Sequence, residues 1–295
     1  MSLTHLSLFT GVSGLGLAAE LAGFETAVAK PILFNTEMVR SVKDNRKTAT
    51  RRPIKPQPVC YGSNITFTPH DDDFFLSEKE NWLRCRVCGN DPEYSREGIN
   101  IAYHWIPPYR PGDILYVRET WYYESHMEDM TAGKPDLPSG NYYHRYIFKA
   151  DCPDYPVNVG VGQHGWRPST HMPKEAARIF LRVTGVKVCR LQDITEEQAK
   201  AEGAVKAYPY TDPTTHETKY MESEYGTYLA GFECLWNSCY ADPRGVKDGH
   251  GAITHYESFP FEEIRETRTY KGKPWYVIGN PWVWDYEFEM VEEKQ

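Results

Sequence analysis

Hydrophobic positions in this chain fall mostly into short runs of strand length, with only a few helical stripes. Leu6-Ser7-Leu8-Phe9 and Pro31-Ile32-Leu33-Phe34 read as short strands. Pro111-Gly112-Asp113 is a turn signature leading into a strand over residues 114–118. Further strands are expected over residues 146–149, 179–188, 275–278 and 282–288. Helical signals are sparser. Asn35-Thr36 is a capping pair that opens a helix running to about Asp44. Thr195-Glu196-Glu197-Gln198 is a capping box, and Gly203 stops the short helix it begins. Ser223 is placed to cap a longer helix whose apolar positions are Tyr225, Tyr228, Leu229, Phe232, Leu235, Trp236 and Cys239. Residues 56–110, 124–143 and 205–222 lack either periodicity and read as loops. The pattern is that of an α+β protein dominated by strands.

Composition narrows this picture. The 295 residues carry a net charge of -8, which excludes a uniformly basic nucleic-acid coat. Charge is nevertheless uneven. From Arg40 to Lys55 there are seven basic residues and one acid, a local +6. The 8 Trp, 21 Tyr and 12 Phe supply core rings, stacking surfaces, or both. The 7 cysteines are scattered and odd in number, as in a reduced cytoplasmic protein without a disulfide framework. Ala27-Val28-Ala29 has the look of a signal cleavage site, but the preceding residues hold no Lys or Arg and are interrupted by Glu20 and Glu25. No uncharged apolar run is long enough to span a membrane.

Residues 1–29 read as a strand, a glycine loop and a helix. Phe9, Gly11, Gly14 and Gly16 lie where backbone could approach a cofactor at a helix N-terminus. The string Leu8-Phe9-Thr10-Gly11, Gly14-Leu15-Gly16-Leu17-Ala18 and Ala22-Gly23-Phe24-Glu25 resembles the first motif of DNA cytosine-5 methyltransferases, which contacts S-adenosylmethionine. The resemblance covers residues 5–28 and then stops. Ala27-Val28-Ala29-Lys30-Pro31 stands where a second strand with a terminal acid should hold the ribose, and no Cys follows a Pro to supply that family's nucleophile. The expectation is a truncated remnant, with S-adenosylmethionine chemistry unsupported by this chain alone.

A second resemblance covers residues 31–291. Its motifs are Asn45-Arg46-Lys47-Thr48-Ala49-Thr50-Arg51-Arg52, Arg110-Pro111-Gly112-Asp113 through Arg118-Glu119-Thr120-Trp121, and Trp166-Arg167-Pro168-Ser169-Thr170-His171-Met172-Pro173. They continue with Leu191-Gln192-Asp193-Ile194-Thr195-Glu196-Glu197 and Asn280-Pro281-Trp282-Val283-Trp284. In this order they resemble the ASCH domain family, in its longer phage and prophage form. The resemblance implies a PUA-like β-barrel with peripheral helices and long loops, an association with RNA, and kinship with N(4)-acetylcytidine amidohydrolases. Those enzymes use a Lys, a Thr and a Glu, and the matching positions are Lys47, Thr50 and Glu202. Asn45 replaces the family's usual Gly, and Asn tolerates the left-handed conformation a Gly would take.

The implied chemistry is amide hydrolysis. Thr50 attacks the acetyl carbonyl, and a Lys47 with a pKa depressed by desolvation and by the cations Arg46, Arg51 and Arg52 takes its proton. Glu202 serves the leaving amine, and which of Lys47 and Glu202 is the base stays open. Arg46, Arg51, Arg52, Arg118, Glu119 and Trp121 are the candidate RNA or nucleoside contacts. A non-catalytic RNA-binding module, with phosphates on the basic stretch and bases on Trp105, Trp121 or Trp166, is the competing class. Cys85 and Cys88 have half the spacing of a zinc ribbon, which Cys60 could help complete.

Overall fold

The computed structural model describes residues 4–7, 25–58, 74–76, 83–85, 105–127, 142–155, 165–212, 214 and 218–291. The chain divides into two compact units. Unit 1 comprises Met1–Asn45, Gly112–Val183 and Glu289–Gln295, and unit 2 comprises Arg46–Pro111 and Thr184–Phe288.

Unit 1 begins with strands β1 (Thr4–Ser7) and β2 (Glu25–Val28), which pair in parallel. A parallel pair needs a crossover connection. The strand after the glycine loop therefore exists, and it ends at Val28 and Ala29 without an acid. The loop and the expected helix, with Phe9, Gly11, Gly14 and Gly16, lie outside the described residues. Next comes β3 (Lys30–Leu33), then helix α1 (Thr36–Lys43). The side chain of Asn35 accepts from the Met38 amide, and Arg40 and Lys43 sit in the last turn, so both helix ends are served as the capping pair suggests. Asn45 follows with φ 55°, the left-handed conformation its type allows.

In unit 2, β4 (Ala49–Pro53) carries the basic motif, and β5 (Phe74–Leu76) pairs antiparallel with β6 (Leu83–Cys85). Back in unit 1, β7 (Ile114–Arg118) runs parallel to β3. Strands β8 (Trp121–Met127) and β9 (Tyr142–Phe148) form an antiparallel pair. They claim ends of the stretch read as loop over 124–143, because Glu124-Ser125-His126 lacks the apolar alternation that marks a half-buried strand. Strand β10 (Phe180–Arg190) starts opposite β7. One core of unit 1 gathers Trp121, Met172 and Ala176, and another gathers Ala29, Ile114 and Phe180.

The remaining elements belong mainly to unit 2. Helix α2 (Glu196–Ala201) has a complete capping box between Thr195 and Gln198, and it ends at Glu202 and Gly203, the latter with φ 82°. The stretch read as a loop over 205–222 instead contains an antiparallel pair of strands, β11 (Ala207–Thr211) and β12 (Thr218–Glu222). Its side chains are mostly exposed, so no buried face imprinted a period on the sequence. Helix α3 (Tyr228–Tyr240) is capped by Thr227, not Ser223, and Tyr225 stays 89% exposed ahead of it. Strands β13 (Arg244–Lys247), β14 (Ile253–Ser258), β15 (Arg265–Tyr270) and β16 (Lys273–Ile278) form a sheet ordered β13-β14-β16-β15. Finally β17 (Trp282–Met290) pairs antiparallel with β4. Leu191, Ile194, Ala199, Phe232, Trp236 and Val283 form the unit 2 core. The protein is thus mixed α+β, mostly strands with few helices. Its sheets are open, and no strand set closes into a barrel among the described residues.

Candidate active site

Strand β4 positions the site. It pairs with β17 along one edge, with Thr50 opposite Tyr286 and Arg51 opposite Asp285. Along its other edge the backbone groups of Ala49 and Arg51 need partners, since unpaired buried N–H and C=O groups are costly. Lys47 and Glu202 provide them. The Lys47 Nζ donates to the Ala49 carbonyl at 2.8 Å, and the Glu202 Oε1 accepts from the Arg51 amide at 2.5 Å.

The two side chains also meet each other. Lys47 Nζ lies 2.7 Å from Glu202 Oε2 and 2.7 Å from the Glu202 carbonyl oxygen. The pair is sealed, with side-chain exposures of 0% and 3%. Residues 155 positions apart are brought together because Glu202 ends α2 and the Thr48 amide donates to Ala201 at 2.8 Å. Three acceptors around Nζ match the three N–H groups of an ammonium, so the resting lysine is held charged. Burial pushes its pKa down, Glu202 opposes that shift, and the Arg52 charge adds to it. Of the three cations expected to depress Lys47, Arg52 does so, and desolvation is the larger cause.

Thr50 lies one residue beyond the Lys47-bonded carbonyl. It is 1% exposed, and its hydroxyl makes no hydrogen bond to a described residue. Strand alternation places Thr50 and Arg52 on one face of β4, and Ala49 and Arg51 on the other. The Arg51 face borders a pocket of about 340 Å³, lined by Thr48, Arg51, Gln198, Glu202 and Asp285 among others. Arg51 is engaged there through one nitrogen: its Nη2 donates to Asp285 Oδ2 at 3.0 Å and to Gln198 Oε1 at 3.1 Å, while its Nε and Nη1 are buried without a hydrogen-bond partner among the described residues. Burial pushes the Asp285 carboxyl up, with Arg51 opposing.

Much of the basic stretch is paired within the protein, but only Lys47 and Arg51 are buried. In unit 1, Arg40 donates to the Ala150 carbonyl and Lys43 pairs with Asp151 at 2.5 Å. In unit 2, Lys47 and Arg51 are buried in ion pairs, and Arg52 donates to the Tyr240 hydroxyl at 2.9 Å. Arg46 is exposed and contacts the Gly203 carbonyl at 3.3 Å.

Arg118, Glu119 and Trp121 belong to unit 1, whereas β4 belongs to unit 2. Arg118 donates to the Thr170 carbonyl. Glu119 is 1% exposed and holds Arg178 through both carboxylate oxygens, at 2.9 and 3.0 Å. Burial nonetheless pushes its carboxyl above the usual range. Trp121 is a core ring, 4% exposed, with the Arg167 guanidinium 5.1 Å from its centre. Sequence reading missed Arg178, Asp285, Tyr109 and Tyr240 as partners. Asp285 alone gave a signal, as an acid directly following the Trp282-Val283-Trp284 run. Cys60 and Cys88, and the side chain of Cys85, lie outside the described residues. Among those described, no group of three His, Cys, Asp or Glu is placed to hold a metal, and no helix is long and apolar enough to cross a membrane. No protein-family model, curated protein or solved structure matches this chain.

Proposed function

We propose that the protein is an ASCH-type, RNA-associated amidohydrolase that removes the acetyl group from N(4)-acetylcytidine or a close relative. The PUA-like barrel that this family implies belongs to the same proposal. One observation carries the reading: Lys47 and Glu202, singled out by motif and 155 residues apart, form a buried 2.7 Å pair beside the strand that bears Thr50. Thr50 adds the feature a nucleophile needs, a buried hydroxyl not committed to a described residue.

In the proposed reaction the Thr50 Oγ1 bonds to the acetyl carbon as the C–N bond breaks. The cytidine amine leaves with a proton, and water then cleaves the acetyl-threonine to acetate. The hydroxyl proton needs an acceptor and the amine a donor. Lys47 and Glu202 share one short hydrogen bond through which a proton can be passed, so the pair can fill both roles in turn. At rest the pair is an ammonium facing a carboxylate, so Lys47 becomes a base only after it hands a proton to Glu202.

The test is acetate release from N(4)-acetylcytidine by the wild type and by Lys47→Ala, Thr50→Ala and Glu202→Ala. Release by the wild type and loss in all three variants is expected. Full activity in the three variants would remove the basis of the proposal. The binding-only alternative is weakened by one observation: Lys47 and Arg51, at the heart of the basic motif, are buried in ion pairs and so are not presented to phosphates.

A further inference from the structure

The face of β4 that carries Thr50 also carries Arg52, two residues on, and its surroundings differ from those of the Lys47–Glu202 pair. Lys47 and Thr50 are buried, whereas Arg52, Tyr109 and Tyr240 are only half-buried and so reach solvent. Tyr286, opposite Thr50, meets the Tyr109 ring edge-to-face with centroids 5.1 Å apart. Arg52 Nη1 donates to the Tyr240 oxygen at 2.9 Å.

A guanidinium has donors only, so the phenol must be the acceptor in this bond. Its own O–H is then left over, and it has no acceptor among the described residues. The ring itself is fixed. It packs against Trp236, with centroids 4.4 Å apart and the planes tilted by 38°, and the buried Trp236 is anchored by its Nε1, which donates to the Phe259 carbonyl at 2.7 Å. Tyr240 is thus a rigid aromatic with an uncommitted donor, polarised by a cation, beside the face that bears an uncommitted threonine hydroxyl.

We infer that Tyr240, held by Arg52, is the specificity-determining donor of the Thr50 site, and that it reads a ring carbonyl of a pyrimidine nucleoside. This rests on the amidohydrolase reading and names how the base is held. The half-exposed phenol and guanidinium meet the ring from the solvent side, with the Tyr109 ring as a further planar surface, and the acyl group points toward the more buried threonine. An acceptor-bearing neutral ring fits this set. A second cation does not, because Arg52 already stands there.

The experiment titrates cytidine, the expected product, into wild type and Tyr240→Phe by calorimetry, and runs acetate-release kinetics on both. Phenylalanine keeps the ring on Trp236 and removes only the hydroxyl. The expected result is weaker cytidine binding by about 3- to 10-fold, the worth of one neutral hydrogen bond, with the loss falling on KM rather than kcat. Arg52→Lys should reproduce part of it, since a lysine cannot hold the phenol in the same planar geometry. Equal cytidine affinity in wild type and Tyr240→Phe, or no cytidine binding by the wild type, overturns the inference. The two proposals separate cleanly. Tyr240-dependent cytidine binding without acetate release would sink the hydrolase and keep this site. Acetate release with an unchanged KM in Tyr240→Phe would do the reverse.

Discussion

Replacing Glu202 by Gln tests whether the buried pair is as tightly coupled as its geometry implies. The substitution keeps the size of the side chain and an oxygen that can still accept from the Arg51 amide. What it removes is the charge facing Lys47, whose side chain has no exposure. A lysine ammonium left unpaired in that position cannot be rehydrated without opening the fold. Breaking such a pair from one side costs about 3–5 kcal/mol, a large share of the roughly 5–15 kcal/mol that holds a protein together. Urea unfolding followed by tryptophan fluorescence should therefore show a large fall in midpoint for Glu202→Gln. Lys47→Met alone should also destabilise, by stranding the carboxylate. The double variant should be less destabilised than the sum of the two, by about 1–3 kcal/mol of coupling. The pH dependence has a definite sign. Burial holds Lys47 below its ordinary 10.5, so between its lowered value and 10.5 the unfolded chain binds a proton that the folded one lacks. Stability from this group therefore rises with pH through that window, and Lys47→Met should flatten the rise. A Glu202→Gln cost under about 1 kcal/mol, or simple additivity, would refute a tightly coupled buried pair.

Other consequences follow from single residues. Glu119 is pushed above 4.5 by burial, so between 4.5 and its raised value the folded protein holds a proton the unfolded chain has lost. Stability from this group falls as pH rises through that window, and Glu119→Gln should erase the slope in a pH series of unfolding curves. Thr195→Ala removes the cap of α2, the helix that delivers Glu202, and should cost about 1 kcal/mol in urea unfolding. An unchanged midpoint would contradict the capping role. Gly231→Ala would place a Cβ 1.7 Å from the Val205 carbonyl oxygen, so about 1–3 kcal/mol of overpacking is expected by the same assay.

Local chemistry announced itself in the sequence where it acts locally. Asn35 caps α1, Thr195 and Gln198 close the box on α2, and residues 114–118 form the strand that their turn signature predicts. Lys47 and Glu202 were legible as a pair only through motif resemblance, since nothing in composition links residues 155 apart. The β11–β12 pair left no trace, because its side chains are mostly exposed and a strand without a buried face has no reason to alternate. The fate of the basic stretch was hidden for a related reason. A run of cations looks the same whether its partners are phosphates or the carboxylates of Asp151, Glu202 and Asp285, which arrive from distant parts of the chain. Tyr240 carried no signal in the sequence, and its meeting with Arg52 depends on packing that no local pattern records.

The central claim is that Thr50 attacks an acyl carbon. The most direct measurement is intact-protein mass spectrometry of acid-quenched mixtures with N(4)-acetylcytidine, alongside release of labelled acetate. The account predicts acetate release and a transient acetyl adduct that maps to Thr50 and is absent from Thr50→Ala. Acetate release that persists undiminished in Thr50→Ala, or no release by the wild type, would contradict it.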